Sequence, residues 1–201
     1  MIRNVVFDMG NVIRIYDPFR PCLRHAGNLE EADILCKAIF LHPDWGRKVD
    51  GGLLTDLEYA KEVQSRLESP RLQKLAEDIL TDWTEDGLAP NPGMDGLIRE
   101  LLKIGLRIYV LSNAGYVFRE VSRTFPSVDQ YSGLMFSAEE KIRKPETEIY
   151  TRLCERFSLV PEECIFVDDM DVNVRAAESV GMHGYVFDCL DGLRAHLKEV
   201  L

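Results

Sequence analysis

Asp8, Ser112, Lys144 and the pair Asp168-Asp169 are scattered along the chain, yet each stands just after a short apolar run or at a loop-to-helix junction. The run Asn4 to Phe7 ends in Asp8-Met9-Gly10-Asn11, and Leu106 to Leu111 ends in Ser112-Asn113. Ile165 to Val167 ends in Asp168-Asp169, and Arg143-Lys144-Pro145 opens a helical stretch between them, with Pro145 suited to a first helical turn. Three carboxylates gathered at one edge repel one another unless a cation sits among them, and an all-oxygen ligand set favours a hard ion such as Mg²⁺. One lysine and one short hydroxyl beside them suit a phosphoryl group. Each signal is weak singly, because an Asp after a strand often only caps the next helix. The combination carries the reading.

Positioning these residues together requires a particular fold. The strand-like runs, with Gly184 to Phe187 as the last, alternate with helical stretches at Met94 to Lys103, Tyr116 to Phe125, Glu146 to Phe157, Asp171 to Val180 and Leu190 to Val200. That rhythm predicts an α/β fold with a Rossmann-like, doubly wound parallel sheet. Ligands bind such sheets outside the carboxyl ends of the strands, where all the residues above would lie. Between about Asp17 and Leu88 the strand signals vanish. Leu29 to Phe40 reads as a helix, Thr55 and Glu58 form a capping box ahead of Leu57, Ala60, Val63 and Leu67, and Leu72, Leu75, Ile79 and Trp83 recur at helical spacing. The expected organisation is a core of residues 1–16 and 89–201, with residues 17–88 as a helical insert returning through the turn-rich Ala89 to Gly93.

Composition narrows the partners. A formal net charge of -10 and no basic cluster argue against nucleic acid, whose binding draws on clustered Lys and Arg. No stretch approaches the ~20 apolar residues of a membrane span, so a soluble, cytoplasmic protein is expected. The 5 cysteines contain no C-x-x-C pair and read as reduced, packed thiols.

These motifs, in this order, resemble those of the haloacid dehalogenase superfamily. Phe7-Asp8 is similar to its first motif, Leu111-Ser112-Asn113 to its second, Arg143-Lys144-Pro145 with Ile149-Tyr150 to its third, and Phe166-Val167-Asp168-Asp169 with Asn173 to its fourth. The helical insert resembles the family's cap of the first type. The resemblance implies a Mg²⁺-dependent phosphatase acting on a small phosphorylated metabolite, with Asp8 as the nucleophile that forms an aspartyl phosphate. It implies Mg²⁺ held by Asp8, the Gly10 carbonyl and Asp169, with Asp168 acting through a water. Ser112 and the Asn113 amide would bind the phosphoryl group, and Lys144 would neutralise both that group and Asp8.

One position departs from the pattern. Most phosphatases of the family carry an acid two residues after the nucleophile, and here Gly10 stands there, which removes a proton shuttle worth about 10²–10⁴ in rate. Three readings follow. The substrate has a good leaving group, as in a branch of small glucose-1-phosphatase-like enzymes with a similar Asp8-Met9-Gly10-Asn11 motif, with Asp17 as a substitute acid or merely a helix cap. Alternatively the chain is a 2-haloacid dehalogenase, which two adjacent late carboxylates oppose. The third reading is a non-catalytic relative that binds phosphate or a partner. At the edge of the insert and within it, Tyr16, Arg20, Arg24, His25 and His42 are candidates to face the site. The cluster Trp45, Arg47 and Lys48 is the most suggestive, since an aromatic face with cations suits a phosphosugar. Phe40 and Trp83 read as packing residues.

Overall fold

The computed structural model describes residues 1–201. The chain opens with β1 (Asn4–Phe7) and β2 (Arg14–Tyr16), then runs through four helices: α1 (Phe19–Ala26), α2 (Leu29–Ile39), α3 (Asp56–Arg66) and α4 (Pro70–Asp82). It returns through β3 (Leu88–Pro90) and alternates thereafter: α5 (Met94–Lys103), β4 (Arg107–Ser112), the short α6 (Phe118–Val121), β5 (Gly133–Phe136), the short α7 (Ser137–Glu140) and α8 (Thr147–Phe157). Next come β6 (Cys164–Asp168), α9 (Asp171–Ser179), β7 (His183–Val186) and α10 (Leu190–Val200).

Five of the strands form one parallel sheet in the order β5-β4-β1-β6-β7. Successive side chains of a strand point to opposite faces, so a sheet covered on both sides needs apolar residues at every position. Asn4-Val5-Val6-Phe7 is buried throughout. Val5 and Phe7 pack towards Leu97 and Ile98 of α5 and Leu193 of α10, whereas Val6 packs towards Ile149 and Leu153 of α8 and Ala177 of α9. From β1 the order runs outward through β4 and β5 and then crosses back to β6. The strand ends beside β1 are therefore a switch point of the kind that opens a ligand crevice.

Helices α1 to α4 pack on one another, and their apolar residues are continuous with one face of the sheet. The capping box at Thr55 is present: its hydroxyl accepts from the Glu58 N–H and its own N–H donates to the Glu58 carboxylate at 2.8 Å. Such a cap contributes about 1 kcal/mol. The two passages between sheet and helices are the strands β2 and β3, paired antiparallel.

Several elements differ from the sequence expectation. The turn-rich return over Ala89 to Gly93 starts inside a short strand, since Ala89 and Pro90 belong to β3. The edge strand β5 was not expected, because Gly133-Leu134-Met135-Phe136 contains no β-branched residue and begins with glycine. The helix expected over Tyr116 to Phe125 is reduced to α6 and a 3₁₀ turn, Ser122–Thr124, where Val121, Ser122 and Thr124 are poor helix formers. Pro145 stands outside α8 and follows a cis peptide bond.

Candidate active site

The carboxyl ends of β1, β4 and β6 bring together the residues that the motifs single out. Asp8 directly follows β1, and its N–H donates to the Val167 carbonyl at 2.8 Å, fixing it against β6. Ser112 ends β4 and Asp168 ends β6. Lys144 reaches the same point from the loop before α8. Oxygens of Asp8, Asp168 and Asp169 all lie within 4.8 Å of one another.

The lysine is shared unequally. Its ammonium lies 2.8 Å from Oδ1 of Asp8 but directs its hydrogen bond to Oδ2 of Asp168 at 2.6 Å. Asp168 is also an acceptor for the Met170 N–H at 2.8 Å and for the Asn173 amide at 3.0 and 3.1 Å. Tyr150 holds Asn173 in turn, its hydroxyl donating to the Asn173 carbonyl at 2.8 Å. Asp168 is thereby held by three donors and in turn holds Lys144. Oδ1 of Asp8 is buried with no directed donor, although the lysine charge is close. Burial raises the Asp8 carboxyl to about 6, with Lys144 opposing and Asp168 reinforcing the shift. For Lys144 burial pulls downward, but Asp8 and Asp168 outweigh it and hold the ammonium above its ordinary value.

Three carboxylates against one ammonium leave the cluster negative, and an orphaned acceptor faces an all-oxygen set. These residues fit a hard divalent cation. Asp169 is oriented by the Asn11 amide at 3.0 Å, and Asn11 adopts a left-handed φ of 55° that bends the chain around the site. The Asn113 side chain is committed elsewhere: it donates to the Lys144 carbonyl and accepts from the Lys144 N–H, both at 2.8 Å. Asn113 therefore braces the lysine loop, and only its main chain is left for a ligand. A Cβ at Gly10 would meet nothing within 4 Å, so packing does not impose the missing side chain.

Above the cluster lies a cavity of about 250 Å³. Its upper wall is aromatic, from Tyr16, Phe40, Trp45, Trp83 and Phe118. The rings meet edge to face or tilted, with Trp45 and Trp83 5.5 Å apart and Phe40 and Trp83 5.2 Å apart. Phe40 and Trp83 thus do more than pack the helices. Trp45 lines the cavity as expected, but Arg47 and Lys48 do not. Residues Trp45–Asp50 wind as a π-helical turn, in which Gly51 N–H reaches the Gly46 carbonyl at 3.1 Å. The wider turn faces Trp45, Val49 and Asp50 inward and sends the two cations outward, where Arg47 pairs with Asp44 at 2.5 Å and Lys48 with Glu62 at 2.5 Å. Arg20, Arg24, His25 and His42 also lie outside the cavity. Asp17 is exposed, lies outside the cavity and accepts from the Phe19 N–H at 3.2 Å in a local turn that leads into α1.

Asp50 is the site residue that sequence reasoning missed. Its side chain lines the cavity that also holds Asp8, and its carboxyl makes no hydrogen bond or ion pair within the protein. Burial pushes it well above the ordinary carboxyl range, against the pull of Arg143 and with further upward push from Asp56 and Asp8. Its main chain is docked on the core: Ser137 donates to the Asp50 carbonyl at 2.6 Å, Tyr116 to the Gly52 carbonyl at 3.0 Å, and Lys141 also to Gly52. Gly52 has a φ of 68°, and a Cβ there would run into the Ala138 backbone.

Residues 2–181 match the haloacid dehalogenase-like hydrolases. Over 98 residues the chain is 36% identical to the sesquiterpene phosphatase astK of Aspergillus oryzae, covering 48% of this chain and 50% of that protein. Over 121 residues it is 26% identical to flavin mononucleotide hydrolase 1 of Arabidopsis thaliana, covering 60% and 49%. The chain thus spans about half the length of these curated relatives. In fold it is similar to a haloacid dehalogenase family enzyme of Bacteroides thetaiotaomicron solved with magnesium and inorganic phosphate, with a TM-score of 0.71, 21% identity and coverage of 96% and 99%. With the family's residues matched over nearly the whole chain and gathered at one sheet edge, this protein is a hydrolase belonging to the haloacid dehalogenase-like family.

Proposed function

We propose that the chain is a Mg²⁺-dependent phosphatase that passes the phosphoryl group of a small phosphomonoester through an aspartyl phosphate on Asp8. The observation that carries this reading is the placement of Asp8 beside Lys144 with Asp168 and Asp169 within 4.8 Å. Asp8 attacks phosphorus and the ester oxygen leaves; water then attacks the same phosphorus and releases Asp8. Ser112 and the Asn113 main chain orient the phosphoryl oxygens, and Lys144 balances their charge. Asp8, the Gly10 carbonyl and Asp169 would hold Mg²⁺, with Asp168 reaching it through a water. When bound, Mg²⁺ screens the anionic nucleophile from an anionic substrate and stabilises charge on the transferring group. The helices between β2 and β3, over residues 17–88, are read as a cap of the first type.

The substrate we favour differs from the phosphosugar of the glucose-1-phosphatase-like branch. Lys144 is the only cation that lines the cavity, and it is engaged at the nucleophile. Five aromatic rings above it suit an aromatic or prenyl alcohol, whose apolar surface gains from leaving water, better than a polyol that needs many donors and acceptors. A 2-haloacid would bring its own carboxylate to a cluster that is already negative.

The test is phosphate release from geranyl, phenyl, acetyl and glucose 1-phosphates, with and without Mg²⁺, for the natural protein and Asp8→Asn. Turnover that needs Mg²⁺ and vanishes in Asp8→Asn is expected, with the lowest KM for the geranyl and phenyl esters. Halide release from a 2-haloacid in place of phosphate release would overturn the reading.

A further inference from the structure

Phosphoester cleavage with an alcohol leaving group needs a proton for the departing oxygen, and Gly10 has no side chain to give one. The cavity over Asp8 contains two other acidic side chains, Asp169 and Asp50. Asp169 belongs to the cluster that fits a cation. Asp50 lines the same cavity as Asp8, its carboxyl makes no hydrogen bond or ion pair within the protein, and it is fixed to the core through its own carbonyl and that of Gly52. Tyr16 also lines the cavity, but burial pushes its phenol so far up that it holds its proton.

We propose that Asp50 is the general acid and base of this enzyme, supplied from the cap in place of a residue beside the nucleophile. The inference rests on the aspartyl-phosphate reading above. In the first step the bond from Asp8 Oδ to phosphorus forms, the bond from phosphorus to the ester oxygen breaks, and that oxygen takes the Asp50 proton to leave as alcohol. In the second step the Asp50 carboxylate accepts a proton from the water that attacks phosphorus, and the Asp8–phosphorus bond breaks. Asp50 ends protonated and Asp8 ionised, as both began.

The resting state suits this role, since desolvation favours the protonated carboxyl. The charged and titratable groups around Asp50 come from four elements: Arg143 from the loop before α8, Asp56 from α3, Asp8 from the end of β1, and Tyr16 from β2. Gly46 leaves room for Arg143, whose Nη1 would lie 3.0 Å from a Cβ at that position. Arg143 and Asp50 form no ion pair, and burial outweighs the downward pull of the guanidinium on the Asp50 carboxyl.

The test uses the Mg²⁺-loaded protein and a series of phosphate esters graded by leaving-group acidity, from simple alkyl phosphates to 4-nitrophenyl phosphate. For Asp50→Asn, kcat/KM on alkyl phosphates is expected to fall about 10²–10⁴-fold, whereas on 4-nitrophenyl phosphate, whose phenolate leaves unaided, it falls less than about tenfold. Release of nitrophenolate then shows a fast burst ahead of slow phosphate release. An equal fall across the series, or none, overturns the proposal. If the variant does not fold, the natural protein decides: an alkaline limb in kcat/KM for alkyl but not 4-nitrophenyl phosphate supports Asp50, and the same profile for both overturns it. Persistent turnover by Asp8→Asn would instead remove the nucleophile assignment, which keeps the two failures distinct.

Discussion

The indole Nε1 of Trp83 donates to the Asp56 carboxylate at 2.8 Å, both groups being buried at the junction of α3 and α4. Trp83 is also the ring against which Phe40, Trp45 and Phe118 pack, so this one hydrogen bond orients the wall of the cavity. Asp56→Ala leaves the indole N–H without an acceptor and is expected to cost about 1–3 kcal/mol in urea unfolding. It should also raise KM for phenyl or geranyl phosphate while sparing acetyl phosphate. Asp56→Asn retains an acceptor and should restore most of both; a variant as impaired as Asp56→Ala would refute the role of this bond.

Lys144 is the sole positive charge among three carboxylates. Lys144→Met is expected to lower turnover by about 10²–10³-fold or more, since a fixed charge at the reacting centre is lost. It also strands Asp8 and Asp168, with an expected stability loss of about 3–5 kcal/mol in the absence of metal. Adding Mg²⁺ should recover part of that loss, by binding only the folded state. Unfolding curves that ignore Mg²⁺ would contradict the placement of a cation among these carboxylates.

Protons and metal compete for Asp8. Because burial lifts its carboxyl to about 6, Mg²⁺ affinity should be steady above neutrality and fall about tenfold per pH unit below that value. Titration calorimetry at pH 5, 6 and 7.5 measures this directly. The dependence should disappear in Asp8→Asn, and a pH-independent affinity in the natural protein would refute Asp8 as a ligand.

Two desolvated acids of the helical insert, the half-buried Asp50 and the buried Asp56, make folding sensitive to pH in a defined direction. Burial raises Asp50 and Asp56 above their ordinary value, so the folded chain retains protons that the unfolded chain releases above about pH 4. Their contribution is complete below the unfolded value and is lost as pH rises through the folded ones. Asp50→Asn should therefore raise Tm at pH 7 to 8 in metal-free protein and flatten the decline from pH 4 upward. A lower Tm for the variant at pH 8 would show that the carboxylate is compensated after all.

What was legible in the sequence follows from where chemistry sits. Asp8, Ser112 and Asp168 each stand at the end of an apolar strand, and a short continuous apolar run that stops at a polar residue is easy to see, so the site on the sheet could be read from where the runs end. Asp50 offered no such cue. It closes a segment whose π-helical turn shifts the facing of its side chains, so that α-helical spacing cannot tell inward Asp50 from outward Arg47 and Lys48. Asp56 was hidden as the first residue of a well-capped helix, where an acid is ordinarily explained by the helix dipole. Phe40 and Trp83 looked like packing residues because they are, and only the tertiary arrangement leaves one side of that packing open to a ligand.

Gly52 has a wider consequence. The loop that carries Asp50 touches the core through main-chain carbonyls, and its close approach to Ala138 depends on the absence of a single Cβ. Apart from the buried Val49, a joint made of backbone is tolerant of the side chains along it. An exposed residue such as Leu53 can be exchanged without changing how the loop seats, and wall residues outside that turn, such as Phe40 and Phe118, can be varied for another alcohol without moving Asp50 relative to Asp8. Diversification of what is bound is thus uncoupled from the geometry of how it is cleaved, with one glycine as the condition for both.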